Sequence, residues 1–393
     1  MHLSHLSLKD FRNFDQLELT LGSGLFLFQG ENAQGKTNLL EAVAMLATSN
    51  SFHASSDREI VNWHTSEHVT RIVAAVERHD EEVNIEIVIF DPTQPEKGSS
   101  AEREFQFISP NDRQRKRIKI NSVPKRAIDL IGLVTVVLFS PNDLGLVDGS
   151  PEERRRFLDR GLCQMQPHYC QALQKYRKIV TQRSALLKRI RENQEDPRML
   201  DFLDEKLTEL ATMITFERRR MVNSLNQHVD ELQAIISGGR EHLTIVYRPS
   251  FHIEPAWNTM ETLQNYRIQL LEARRKEIRQ GVCLLGPHRD DLEFLVNDVN
   301  MLTYGSRGQQ RTAALASKLG ELAFMRTVTG EEPILLLDDV FSELDPLRRE
   351  HLLREVLQHE QVLITATDFA SLPEEILAKA HRYRVINGEI LQC

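Results

Sequence analysis

No stretch of this chain is apolar for long enough to cross a bilayer. Its apolar runs, such as those near Val134–Phe139 and Ile334–Leu337, are a handful of residues long, whereas a spanning helix takes about 18 or more. The opening MHLSHLSLKDFRNF has no apolar h-region and no small-residue cleavage site, so export is not expected. Cysteine is scarce. Cys163, Cys170, Cys283 and Cys393 include no CxxC pair, which argues against a disulfide framework and a zinc site. Extended disorder is excluded as well, because 41% of residues are hydrophobic. A cytoplasmic globular protein with no membrane association is the expectation that remains.

At 393 residues the chain is long enough for two or three domains of about 150 residues each. The net charge of −8 is unevenly spread. Residues 151–280 hold 23 Lys and Arg against 18 Asp and Glu, a net of +5, which leaves −13 for the remainder. Texture changes at the same places. Leu3–Leu8 and Leu17–Leu21 alternate as half-buried strands do, and Leu25–Phe28 is continuously apolar, as in a strand covered on both faces. Strands are also predicted at Arg71–Val76 and Val83–Phe90, a loop between Phe90 and Phe105, and a turn near Asn121–Pro124 after a basic cluster, Arg113–Lys119. From Pro151 the spacing turns helical. Tyr169, Leu173, Tyr176, Val180, Leu187 and Ile190 form one seam, and Leu203 to Leu232 another, with Pro197 between them and Gly238-Gly239 at the end. Strand and helix return after Gly281, and Asn387-Gly388 marks a closing hairpin. The predicted fold is an α/β head of mixed sheets with flanking helices. Residues 1–150 and 281–393 build it, and a helical, coiled-coil-like arm, 151–280, is inserted between them.

The sharpest local pattern is Gly30-Glu31-Asn32-Ala33-Gln34-Gly35-Lys36-Thr37, a GxxxxGK(S/T) phosphate loop. Its glycines permit a tight loop whose N–H groups face phosphate, at the start of a helix that favours anions. Lys36 is placed for the β and γ phosphates and the Thr37 hydroxyl for Mg²⁺. Ile334–Leu337 then runs into Asp338 and Asp339, a Walker B arrangement: Asp338 for the metal, Asp339 to orient and deprotonate the attacking water. A third element, Tyr304–Arg311, contains Ser306, Gly308 and Gln309 at a helix start, 32 residues before Asp338. One nucleotide does not need two cradles from one chain. A head-to-tail pair of subunits, each offering its Ser306 loop to the other's nucleotide, is the economical geometry; a plain N-cap serine is the bland one.

Ser-x-Gly-Gln-Gln ahead of a Walker B strand resembles the signature of ABC-type ATPases, and Ser342-Glu343-Leu344-Asp345 resembles their D-loop. Within that class the chain is similar to the RecF family of bacterial recombination proteins. Leu8–Phe14, the phosphate loop, Pro141–Asp159 and Gly286–Leu292 carry the likeness, with Asn142 where that family usually has an acid. The resemblance implies an SMC-like head, ATP and Mg²⁺ as cofactors, slow DNA-dependent ATP hydrolysis and an ATP-dependent homodimer. It also implies DNA, RecO and RecR as partners, in loading RecA onto gapped DNA coated by single-strand-binding protein. Arg12 and Asn13 would lie near the base or ribose, Asp345 with Ser342 in the D-loop, and Ser306, Gly308 and Gln309 across the dimer. No Gln stands around Ser140–Asp143 for the metal, and Thr367-Asp368 stands where a switch His is usual.

For DNA phosphates the arm offers eight Lys and Arg and no acid from Arg160 to Arg191. Lys175, Arg177, Lys178, Arg183, Lys188 and Arg189 are the candidates, with the Arg113–Lys119 cluster as a second one, against the alternative of a merely solvated helix face. Nothing there reads bases, so DNA form rather than sequence is the expected target. His288 to Asp291 is expected to form a structural network joining the arm to the head rather than a metal cage. An ATPase subunit of another ABC-type assembly, a transporter or an SMC-like nuclease complex, is the competing reading.

Overall fold

The computed structural model describes the chain except residues 55, 80, 92–115, 255, 370 and 371, and at 142, 144, 342 and 343 it describes the backbone alone. The predicted Phe90–Phe105 loop and the Arg113–Arg115 part of the basic cluster lie outside the described residues. Packing divides the chain into two units, Met1–Asp143 with Glu321–Cys393, and Leu144–Gly320.

The first unit opens with β1 (His2–Phe11) and β2 (Phe14–Thr20), joined by the two-residue turn Arg12-Asn13. β3 (Gly24–Gln29) leads through the phosphate loop into α1 (Lys36–Thr48), and β4 (Val69–Arg78), β5 (Glu81–Phe90), β6 (Lys116–Ile120), β7 (Val123–Lys125) and β8 (Val136–Phe139) follow. Six of these strands make an antiparallel sheet in the order β2-β1-β4-β5-β6-β7. Its strands alternate because one face packs and the other is wet.

The second unit begins with α2 (Pro151–Met165), α3 (Pro167–Arg191), α4 (Leu200–Leu225) and α5 (Val229–Ser237). Ser150 and Glu153 close a reciprocal capping box at the head of α2, with Pro151 at the first helical position. The second predicted seam is two helices: α4 ends at Leu225, and Gly238 in the left-handed region ends α5. Then come β9 (Leu243–Arg248), α6 (Thr259–Gln280), β10 (Asp291–Val296), β11 (Val299–Asn300) and α7 (Arg307–Thr329), the last crossing the division at Gly320. The sequence returns the chain to the head at 281, whereas the packing keeps 281–320 with the arm. The cause is strand pairing: β10 binds β9 along its whole length, in a three-stranded sheet β11-β10-β9.

The first unit resumes with β12 (Ile334–Asp338), α8 (Pro346–Val356), β13 (Gln361–Ala366), β14 (His381–Ile386) and β15 (Glu389–Gln392). They complete a second sheet, β15-β14-β3-β13-β12-β8, parallel except for the last hairpin. β12 and β13 are buried at every position, as parallel strands covered on both faces must be. One core joins both sheets to α1, through Leu39, Leu40, Val43 and Leu46. Gln361, fully buried on β13, also links them: its side chain donates to Leu3 O at 2.9 Å and Gly22 O at 2.7 Å and accepts from Leu3 N at 2.9 Å.

Candidate functional site

Parallel pairing brings the C-terminal ends of β3, β13 and β12 to one edge of the sheet, where ligands of such sheets bind. The loop from Gly30 to Gly35 leaves β3 there. Ala33 and Gly35 take φ of 65° and 115°, which turns successive N–H groups toward one point. Gly35 is the N-cap of α1 and no side chain caps the first turn, so those N–H groups remain available to an anion. Gly30 packs on β14: a Cβ there would lie 2.4 Å from Val385 O.

Lys36 is nearly buried, at 7% exposure, and its Nζ donates to Gly30 O at 2.6 Å and Glu31 O at 2.7 Å. Burial pulls its pKa down, and the charges of Asp339 and Asp338 oppose that. Thr37 Oγ1 donates to the Asp338 carboxylate, 2.8 Å from Oδ2 and 3.0 Å from Oδ1, and Thr365 Oγ1 donates to Oδ1 at 2.6 Å. A hydroxyl and a carboxylate at one point are hard oxygen donors, the set that Mg²⁺ takes while keeping waters and phosphate oxygens. Among the described residues no group of three or more His, Cys, Asp and Glu could hold a metal; the Thr37–Asp338 pair fits a metal that arrives with its phosphates. Asp339 follows in the left-handed region, φ 49°, with its N–H on Thr365 O at 3.1 Å.

The sequence did not reveal what holds the loop. Asn13 Nδ2 donates to Gln34 O at 2.9 Å and Asn13 Oδ1 accepts from Asn38 Nδ2 at 2.7 Å. The closing hairpin braces the same residue, with Asn387 N on Gln34 Oε1 at 2.6 Å and Gly388 N on Gln34 O at 3.0 Å. The Asn-Gly pair was legible as a turn, but its contact was not. Arg12, expected beside the base or ribose, is held by Glu41, a fully buried carboxylate, at 2.7 and 2.8 Å, and by Glu59 O at 2.7 Å. A buried carboxylate requires such a counter-charge. Asp345 caps α8 by accepting from Arg348 N at 3.1 Å; Ser342 is described by its backbone alone.

Ser306, Gly308 and Gln309 lie in the second unit. Ser306 is exposed and opens α7 as a capping box: Gln309 N donates to Ser306 Oγ at 3.3 Å and Ser306 N to Gln309 Oε1 at 3.1 Å. On α3, Lys175, Arg177, Lys178, Lys188 and Arg189 are exposed. Arg177 pairs with Asp159 at 3.1 Å and Arg189 with Glu195 at 3.2 Å. Arg183 must be removed from the DNA candidates. Its side chain is fully buried between Asp204 at 2.5 Å and Glu277 at 2.7 Å. It falls on the seam between Val180 and Leu187, and that spacing was the signal available. The His288–Asp291 network is structural: its partners, Arg154, Arg155, Tyr176, Arg218 and Tyr247, tie 151–280 to the stretch after 281, and packing keeps all of them in the second unit.

A parallel core with a phosphate loop after one strand, an acid bonded to that loop's threonine at the end of another and a helical insertion defines an ABC-type, SMC-like ATPase head. A solved SMC head bound to the winged-helix domain of ScpA has this fold, with a TM-score of 0.56 over 100% of this chain and 98% of that one at 12% identity. The chain belongs to the RecF family: residues 2–385 match the RecF/RecN/SMC N-terminal domain. It is 42% identical to the DNA replication and repair protein RecF of Chloroflexus aurantiacus, covering 99% of both chains. It is 38% identical to that of Halalkalibacterium halodurans, also over 99% of both. A solved structure of the recombination mediator protein RecF with ATPrS in the RecFOR pathway superposes at a TM-score of 0.86, with 29% identity over 100% of this chain and 98% of that one.

Proposed function

We propose that this chain is an ATP-driven DNA clamp of recombinational gap repair, working in the cytoplasm with RecO and RecR to promote RecA loading. The observation that carries the reading is the Thr37–Asp338 pair, at 2.8 and 3.0 Å, beside Lys36 at the mouth of the phosphate loop. The full-length likeness to RecF, solved with ATP in one case, supports the same ligand. Lys36 exchanges its two carbonyl partners for β- and γ-phosphate oxygens, and Thr37 with Asp338 holds Mg²⁺. The metal supplies charge neutralisation on the phosphates. Asp339 orients the attacking water and accepts its proton. The exposed Ser306 loop completes the site of a second copy, so two heads close over two nucleotides, and hydrolysis reopens them. DNA lies along exposed cations of the arm, held by its backbone without base readout. Among the described residues no helix is long and apolar enough to cross a membrane.

The test is sedimentation of the full chain with Mg²⁺ and ATP or a non-hydrolysable analogue, with and without gapped duplex. A dimer that forms only with nucleotide, and is lost in Lys36→Met and in Ser306→Arg, is the expected result. A monomer under every condition refutes the clamp.

A further inference from the structure

Two stretches singled out in the sequence, Pro141–Asp159 in its part from residue 145 onward and Gly286–Leu292, meet in the second unit, and the proposed nucleotide chemistry uses neither. Their charges are nearly all paired. Asp159 takes Arg218 at 2.8 Å and Arg177 at 3.1 Å, Asp291 takes Arg154 at 2.6 Å, and Glu152 takes Arg156 at 2.5 Å. The Asp290 carboxylate serves Tyr247, Ser250 N and Arg218. Arg155 differs. Among the described residues its guanidinium has one hydrogen bond, from Nη1 to the main-chain O of Asp290 at 2.8 Å, a neutral acceptor. Burial, and then the charge of Arg218, pull its pKa below the usual arginine value, against the opposing charges of Asp291, Asp290 and Glu152. A half-buried guanidinium beside a second guanidinium is stabilised by an anion.

A cavity of about 300 Å³ opens at this point, with Arg155, Arg156, Arg177 and Arg218 in its wall beside Tyr176 and His288, four guanidinium groups against two carboxylates, Glu152 and Asp159. His288 adds no charge. Its Nδ1 lies 2.6 Å from the Tyr176 hydroxyl and its Nε2 3.3 Å from Cys283 O, and burial pushes its pKa down to about 4. That volume is at the small end for a ligand site, which suits a compact group. We propose that this cavity binds a phosphate-type oxyanion, seated on Arg155 with Arg156 and Arg177 at its mouth. Planar guanidinium groups offer paired N–H donors that match tetrahedral oxyanions. Arg156 and Arg177 are 56% and 64% exposed, each paired with one carboxylate, Glu152 and Asp159; ion pairs of such exposed cations are weak, so an entering oxyanion competes with them. The phosphate belongs either to a nucleic-acid backbone or to a small phosphorylated molecule.

Titration calorimetry of the full chain with inorganic phosphate tests the site. Phosphate taken by the phosphate loop is common to all variants, so the difference isolates the cavity. Arg155→Gln keeps a donor for Asp290 O and removes the charge; it is expected to lose one class of phosphate sites, or to weaken it by about tenfold or more. Arg156→Gln, on the exposed mouth, is expected to weaken the same sites several-fold and serves if Arg155→Gln does not fold. Equal phosphate binding by the wild-type chain and the folded variants overturns the proposal. Within a positive result, displacement of the phosphate by a duplex oligonucleotide identifies the backbone as the source. Phosphate that stays bound identifies a small molecule.

Discussion

Gln34 is the residue through which the phosphate loop is held. Its main-chain oxygen accepts from Asn13 and from Gly388 N, and its side chain accepts from Asn387 N. The loop is thus fixed by a turn 21 residues earlier and a hairpin 353 residues later. The fixed glycines and Lys36-Thr37 were legible because their constraint is local: backbone angles and side chains within one turn. Asn387 was legible as a turn residue only, and Asn13 only through the resemblance, as a neighbour of the base or ribose. What brings the hairpin to the loop is the parallel pairing of β14 with β3, and long-range pairing leaves no local periodicity to read. Asn13→Ala removes two hydrogen bonds of about 1 kcal/mol each. Affinity for ATP is expected to fall about tenfold in calorimetry, with the fold retained. Unchanged affinity would show that the hairpin alone suffices, and a loss equal to that of Lys36→Met would make Asn13 a direct ligand. Gly388→Ala is expected to be worse, since a Cβ there lies 2.1 Å from Asn13 O at φ 80°, and main chain cannot yield.

At the scale of elements, α3, α4 and α6 are fastened by charge as well as by apolar packing. Arg183 of α3 bridges Asp204 of α4 and Glu277 of α6, and Arg274 of α6 reaches Asp201 and Asp204, each at 2.6 Å. The seams themselves were readable, because Tyr169, Leu173, Tyr176, Leu187 and Ile190 recur at helical spacing and all are buried. The fastening was not, because a count of cations does not distinguish the face that a cation occupies. Two substitutions five residues apart on α3 should therefore part company. Arg183→Gln leaves Glu277 buried without its cation and is expected to lower stability by about 3–5 kcal/mol in urea unfolding. Its surviving folded fraction should bind DNA with an unchanged salt slope. Lys178→Ala, on the exposed face, is expected to change stability by less than about 0.5 kcal/mol. If the arm carries DNA, the same change lowers the slope of log affinity against log salt by about 1. An unchanged salt slope in Lys178→Ala would move the DNA contact off this face of α3.

For the whole molecule, the pieces of chemistry are divided between units. Lys36, Thr37, Asp338 and Asp339 belong to the first and the Ser306 loop to the second, and Ser306 stands exposed on a capped helix start. If each site takes its Ser306 from a second copy, the ATPase rate per subunit must rise with protein concentration through the dimerisation range. Lys36→Met and Ser306→Arg must each abolish that rise. The decisive experiment mixes the two inactive variants. A mixed dimer pairs an intact phosphate loop, on the Ser306→Arg subunit, with an intact Ser306 loop on the Lys36→Met subunit, and so holds one complete site. Because neither variant pairs with itself, every dimer that forms is mixed and has one of two sites intact, so up to about half of the wild-type rate should return. A site completed within one subunit gains nothing from mixing. Recovery near that fraction therefore distinguishes a shared site from a self-contained one, which the loss of activity in either variant alone does not.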